Sequence, residues 1–404
     1  MCTSSWFNTV VCIVLIALSG TATAQETRSD TAEMNMDAVY ERPFLTQTGA
    51  PVALGGYLEV NSLYRGEDGV NEGLSFQARR LTMFMSASIS KRIKFLSELE
   101  LEEGGREINI EFAAVDVVFH PALNLRAGIV MNPIGAFNQN HDGPKWEFVE
   151  RPDVAVNLLP ATWSNPGFGL YGKVHRKQWT FGYEAYLTNG FDDRIIDNEE
   201  NRTFLPAAKE NIERFEESHN GHPLMTAKIG IRHRKVGEVG LSYMGGIYNT
   251  FEEDGLVLAD RSRLDVLALD FNTTIGKTGT RIIGEAAWMR IDVPETYTQQ
   301  YGNKQLGAFL DIVQPVYTGR ILDWPAATIN VACRVDYVDW NREQFRETGE
   351  DIGDKIWAVT PAVSLRPTPQ TVLRLNYRYQ WQTDLFNNPA ALSAAWLFGI
   401  STYF

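Results

Sequence analysis

The 404-residue chain has only three cysteines, six histidines and no surplus of basic residues. Two of the cysteines, Cys2 and Cys12, fall in an N-terminal stretch that reads as a removable leader. Cys333 then stands alone, which excludes an intramolecular disulfide framework. Fifty acidic against 37 basic residues give a formal charge of −13. That balance argues against nucleic acid as a partner, because a phosphate backbone must be met by clustered Lys and Arg. Beyond the leader nowhere do 18 apolar residues run together, so no helix is expected to cross a bilayer. There is no glycine-rich phosphate cradle and no Cys-based site, and no cofactor is implied.

The leader itself is "MCTSSWFNTVVCIVLIALSGTATAQ". Its apolar stretch, Val10 to Leu18, is too short to span, and Ala22-Thr23-Ala24 has the small-x-small form of a cleavage site. It reads as a secretory signal peptide cut after Ala24, although no Lys or Arg precedes the apolar stretch. An uncleaved anchor or a buried strand are the alternatives. No Cys sits at the cleavage point, which argues against a lipid anchor. Residues 25–56 are polar and aperiodic. They read as a periplasmic lead-in, too short to fold as a globular plug.

From Tyr57 the texture changes to segments that alternate apolar and polar, the signature of strands with two unlike faces. In "TVLRLNYRYQWQ" (371–382), Leu373, Leu375, Tyr377, Tyr379 and Trp381 share one face. Arg374, Asn376, Arg378, Gln380 and Gln382 share the other. A soluble sandwich would bury the first face, whereas a membrane barrel would turn it to lipid and line its lumen with the second. About sixteen such segments can be counted, an even number as a single-chain barrel requires. They start near Tyr57, Ser75, Ile93, Ile108, Leu123, Phe168, Gln178, Leu224, Gly237, Leu264, Thr280, Lys304, Ala327, Lys355, Thr371 and Leu392.

The connections alternate between two classes. Lys91-Arg92, 120–122, 176–178, 235–237, 276–279 and 367–370 are short, with one long exception after Gln314. The others are longer and mostly acidic: 66–74, 103–107, 132–167, 190–223, 249–263, 292–303, 340–354 and 383–391. Short turns on one side and long loops on the other are what a transmembrane barrel shows, and closure removes exposed strand edges. The chain ends in "AWLFGISTYF". Trp396, Phe398, Ile400, Thr402 and Phe404 share a face, with Tyr403 opposite. This resembles the C-terminal signal read by the barrel assembly machinery, with Phe404 as the terminal aromatic. A C-terminal core strand of a soluble protein is the plainer reading. The expected fold is therefore all-β: a transmembrane antiparallel β-barrel of about sixteen strands over 57–404, in a Gram-negative outer membrane.

Two stretches carry a family likeness. "SFQARRLTMFMSASISKRIKFLSELELEEGG" (75–105) has an Arg pair opening a strand, a tight basic turn and an acidic returning strand. "LNLRAGIVMNPIGAFNQN" (123–140) enters a loop through Gly and Asn-Pro. Both resemble the N-terminal half of the phosphate-selective porin O and P family, over residues 57 to 190 and the final strand. The resemblance implies a homotrimeric channel whose third external loop folds into the pore. The residues favour the same loop independently. The connection 132–167 is long and carries apolar residues that an exposed loop would not favour, so it is expected to fold inward and narrow the channel. Lying on the rim or against a neighbouring subunit is the alternative.

A pore selects by width and by the charges that line it. Strand parity points Arg80, Arg126, Lys173, Lys228, Arg232, Arg334, Arg366, Arg374 and Arg378 into the lumen. It does the same for Glu59, Glu98, Glu100, Glu184, Asp270, Glu285, Asp311 and Asp336. The constriction loop adds Asp142, Lys145, Glu147, Glu150, Arg151 and Asp153. A phosphate channel is expected to carry a continuous basic row. Here Arg374 and Arg378 make a short one that Arg334 could join, and no Lys cluster completes it. Each charge also reads as a wall residue paired to its neighbour. The expected work is passive diffusion of small hydrophilic solutes or inorganic anions. Lipid and lipopolysaccharide are the outer partners, the latter through divalent cations on acidic loops that equally read as a solvated face. The long 190–223 loop keeps an adhesin or receptor as the alternative. The histidines offer no catalytic constellation: His233 faces outward with no Ser placed beside it, and "HNGH" (219–222) is a weak metal signal.

Overall fold

The period-two pattern forms the wall that it encodes. The computed structural model describes residues 34–43, 45, 52–295, 297, 301–345 and 348–404. The expected leader, with Cys2 and Cys12, lies outside them. In chain order the strands are β1 (Val52–Glu67), β2 (Val70–Ser88), β3 (Ile93–Glu102), β4 (Glu107–His120), β5 (Leu123–Met131) and β6 (Ser164–Arg176). Next come β7 (Trp179–Thr188), β8 (Leu224–His233), β9 (Gly237–Ile247), β10 (Glu252–Glu253), β11 (Leu256–Val257) and β12 (Arg263–Ile275). The last six are β13 (Thr280–Ile291), β14 (Lys304–Ile321), β15 (Trp324–Asp339), β16 (Lys355–Thr368), β17 (Thr371–Thr383) and β18 (Ala391–Tyr403).

All except β10 and β11 form one closed antiparallel barrel of sixteen strands, in which each pairs with its barrel neighbours in sequence and β1 with β18. The seam runs from Tyr57 opposite Tyr403 to Glu67 opposite Ser393. Phe404 extends it by two backbone hydrogen bonds with Gly56, each 3.0 Å. Closure pairs every strand edge, which a hydrocarbon surround demands. Among the described residues no helix is long and apolar enough to cross a membrane. The small hairpin β10–β11 sits in the connection between β9 and β12.

The two faces are inverted relative to a soluble protein. On β17, Leu375 is 47% exposed whereas Arg374 and Asn376 are each 1% exposed. On β18, Trp396, Phe398 and Ile400 face out, as does Phe404 just after it, while Leu397, Ser401 and Tyr403 face in. Greasy outside and polar inside is the arrangement of a wall between lipid and a lumen.

Three expectations about connections are corrected. Residues 66–74 are not a loop: β1 and β2 run on to a two-residue turn, Asp68-Gly69, with φ of 47° and 83°. Positive φ at both positions is the twist-matched hairpin turn that Asp-Gly favours. The long exception after Gln314 also disappears, because β14 continues to Ile321 through register shifts at Pro315/Tyr317 and Gly319/Ile321. A bulge tolerates the missing N–H of Pro315, so the proline does not end the strand. The barrel wall starts at Val52, and residues 34–43 of the lead-in lie against lumen-facing side chains.

Candidate functional site

The barrel interior is filled from the long-loop side by residues 132–163, the connection between β5 and β6. The loop leaves the wall through Gly135, whose φ of 63° permits the turn. The Gly135 N–H donates to Ser242 Oγ at 3.0 Å, and Lys228 Nζ donates to its carbonyl at 2.6 Å. The next two N–H groups, of Ala136 and Phe137, donate to Glu285 at 2.7 and 3.1 Å. These partners stand on β8, β9 and β13. The loop therefore crosses the lumen at its first turn.

Five arginines then hold its far side. Arg366 meets Glu147 at 2.8 Å, with Arg281 and Ser364 on the same carboxylate. Arg374 donates to the Phe148 and Gly143 carbonyls at 2.8 and 3.2 Å and to Glu59 at 2.7 Å. Arg334 forks onto Asp311 with two bonds of 2.7 Å and donates to the Glu150 carbonyl at 2.8 Å. Arg378 reaches Asp153 at 2.6 Å. Planar guanidinium forks suit this double task of neutralising a wall acid and clamping a loop. Burial alone would raise the loop acids, but Arg42 holds Asp142, and Arg366 with Arg281 holds Glu147, below the ordinary carboxylate range.

The loop's apolar residues form a core inside the barrel. Ile134, Phe137, Trp146, Val154, Leu158 and Trp163 pack with Phe309 of β14 and with Phe191, Leu205 and Ala208 of the 189–223 connection. Lys209 of that connection donates to the Ala161 carbonyl at 3.0 Å. The expectation of an inward-folding third loop holds, and the 190–223 loop packs down onto it.

Of the basic residues that strand parity points inward, Arg80, Arg126, Lys228, Arg334 and Arg374 are buried within the barrel, and the set does not form a free basic row. Arg80 meets Glu59, Glu100 and Glu102 at 3.2, 3.2 and 2.8 Å. Arg126 forks onto Asp116 at 2.7 and 2.8 Å. Lys173 meets Asp37 at 2.6 Å, and Lys145 donates to the Ala38 carbonyl at 2.8 Å. The short row of Arg334, Arg374 and Arg378 is spoken for by Asp311, Glu59 and Asp153 together with loop carbonyls. Strand parity fixed the direction of these side chains. It carried no information on which acid each would meet across the barrel.

One functional cation was invisible in sequence. Arg42, from the lead-in, is fully enclosed in the lumen. It forks onto Asp142 at 2.9 and 2.6 Å and reaches Glu98 at 2.8 Å. Glu98, His141 and Asp142 are, among the described residues, the one grouping tight enough to hold an ion, and Arg42 already lies on it. The "HNGH" histidines do not converge: His219 meets Thr250 at 3.1 Å, and the His222 ring packs on Phe251. Outward-facing His233 packs on Trp179.

Two cavities flank the filled zone. On the long-loop side a cavity of about 640 Å³ is lined by Arg79, Arg80, Arg151, Lys209, Glu102 and Glu107. On the short-turn side one of about 840 Å³ is lined by Asp37, Tyr40, Lys94, Asp116, Arg126 and Lys173. Arg151 lies 3.7 Å from Glu100, and Arg79 lies 3.7 Å from Glu150. These are looser pairs than those that pin the loop.

No protein-family model matches the chain. An uncharacterized protein of Aquifex aeolicus is 34% identical over 146 residues, 34% of this chain and 32% of that protein. The chain thus matches about a third of that relative's length. Among solved structures, the anion-selective porin from Comamonas acidovorans is similar with a TM-score of 0.55 and 12% identity, over 87% of this chain and 99% of that one. The outer membrane channel DcaP of Acinetobacter baumannii gives 0.53 and 12%, over 89% and 99%. OmpF of Salmonella typhi, solved with daunomycin, gives 0.52 and 11%, over 87% and 97%. At these identities the likeness is one of fold, and the fold is that of known outer-membrane porins.

Proposed function

We propose that the protein is an outer-membrane porin that passes small hydrophilic solutes by passive diffusion, without catalysis. The observation that carries this reading is the loop 132–163 pinned across a polar lumen, with polar-lined cavities on both sides of it. Such a loop sets a width and a local field, which are the two means by which a pore selects. The short-turn side is periplasmic and the long-loop side external, as in barrels of this kind. Residues 1–24 are read as the leader, Phe404 as the signal to the assembly machinery, and the assembly as a homotrimer in lipid and lipopolysaccharide.

A phosphate-type selectivity, which the family likeness implies, would need a ladder of free cations. The pairing of Arg334, Arg374 and Arg378 favours general diffusion instead. Anion preference, the property named for the Comamonas porin, would rest in this chain on Arg79, Arg151 and Lys209 at the external cavity. Planar-bilayer recording of the purified protein tests the reading. Discrete ohmic steps are expected, with a reversal potential in a salt gradient that moves toward cations in the Arg79→Ala/Arg151→Ala/Lys209→Ala variant. Protein that inserts and passes no ions would refute the porin; an unmoved reversal potential would remove those three residues from selectivity.

A further inference from the structure

The lead-in residues 34–43 lie inside the lumen on the short-turn side, along one edge of the cavity of about 840 Å³. At one end the Asn35 N–H donates to Glu238 at 3.0 Å, and Asn35 Nδ2 donates to the Ala136 carbonyl at 3.0 Å. Asp37 accepts from Lys173 at 2.6 Å. In the middle, Val39 is buried against Leu96, Phe112 and Met131. Tyr40 packs edge-on against Phe112, and the Arg126 guanidinium lies 3.4 Å from the Tyr40 ring centroid. At the other end Arg42 enters a socket. Asp142 and Glu98 supply carboxylates, and the Phe84 ring lies 3.9 Å under the guanidinium carbon with Phe112 at 5.6 Å. Tyr403 donates to Asp142 at 2.7 Å and fixes that carboxylate. The His141 ring lies 3.4 Å from Glu98.

Two acids within hydrogen-bond reach and an aromatic face beneath form the environment that a planar delocalised cation fits and a compact ammonium does not. The socket joins two walls to the constriction loop, because Glu98 belongs to β3, Tyr403 to β18 and Asp142 to the loop. A residue that fills it ties the strap to the loop and to both walls.

We propose that Glu98, Asp142, Phe84 and Tyr403 form a guanidinium-binding socket in the lumen, that Arg42 is its resident occupant, and that the 34–43 strap is an internal plug narrowing the channel from the periplasmic side. The proposal rests on the porin reading for its effect on current, but the socket is testable without it. With Arg42 removed, the socket takes a free guanidinium cation from solution.

The test uses the full-length protein with Arg42→Ala, checked for folding by the heat-dependent gel shift of a closed barrel. Single-channel conductance of the variant is expected to rise roughly twofold or more, since the plug shares the cross-section with the loop. L-Arginine added on the periplasmic side is expected to lower the variant's conductance toward the wild-type level, and L-lysine is not. Asp37→Ala, which frees the strap's other end without touching the socket, should raise conductance in the same direction. Calorimetric titration of arginine into detergent-solubilised Arg42→Ala protein reads the socket independently of current, and saturable heat is expected there and not in the wild type. Equal conductance of wild type and both variants would overturn the plug. Equal heats for arginine and lysine would overturn the socket. Saturable binding with no current from any variant would leave the socket standing and refute the porin.

Discussion

Arg334 is where the clamp on the constriction loop can be measured. Its side chain and that of Asp311 are 2% and 1% exposed. It makes two charge-assisted bonds to Asp311 and one to the Glu150 carbonyl, and its guanidinium carbon lies 4.3 Å from the Phe148 ring centroid. In Arg334→Ala the loop loses one of its arginine clamps and Asp311 is left without its partner. Removing one member of a buried pair costs about 3–5 kcal/mol. Neither side chain lines the two cavities, so the expected loss is that of a buried pair, about 3 kcal/mol or more. Replacing both members, Arg334→Met with Asp311→Leu, removes the stranded charge and should recover most of that loss, about 2 kcal/mol or more. The assay is reversible urea unfolding of lipid-refolded protein, followed by tryptophan fluorescence. Trp146, packed against the same guanidinium, reports the loop, and gel mobility reports the barrel. A loss below about 1 kcal/mol in the single variant would refute the clamp. So would a double variant as unstable as the single one, since the cost would then not come from a stranded carboxylate.

Gly135→Ala places a side chain at a positive φ, where its Cβ would meet the Glu285 carboxylate. The strain alone is worth about 1–3 kcal/mol, and faster protease cleavage within 132–163 is the readout. Glu147 titrates below its ordinary range in the folded protein, so its stabilisation is full above the unfolded glutamate value and is lost as pH falls through the lower, folded one. The stability difference between wild type and Glu147→Gln should therefore be constant at and above about pH 5 and shrink only in stronger acid; a difference that changes near neutrality would contradict the assignment. Removal of Phe404 breaks two seam hydrogen bonds with Gly56 and the terminal aromatic at once. Less heat-modifiable barrel in the membrane fraction is expected, and unchanged yield would separate Phe404 from assembly.

The strands were legible because each carries its own evidence. Alternation in "TVLRLNYRYQWQ" identifies β17 without reference to any other segment, and a two-residue period leaves only two choices of face. The errors arose where local chemistry was misjudged: Asp68-Gly69 is a hairpin turn within a stretch read as a loop, and Pro315 sits at a bulge within a strand. The inward loop was legible from its length and its apolar residues. Its anchors were not, because the contacts of Glu147 with Arg366 and of Arg334 with Glu150 join residues some two hundred positions apart.

Sequence alone determined which residues face lipid and which face the lumen, because that depends only on alternation along each strand. The tertiary structure decided what the lumen charges do. Barrel closure sets the loop and the 34–43 strap beside walls far away in sequence, and opposite charges confined in a narrow space pair before they can serve a passing ion. Arg42 is the clearest case: a lone cation in an aperiodic segment, it acquires its role only when Asp142, Glu98 and Phe84 are brought around it.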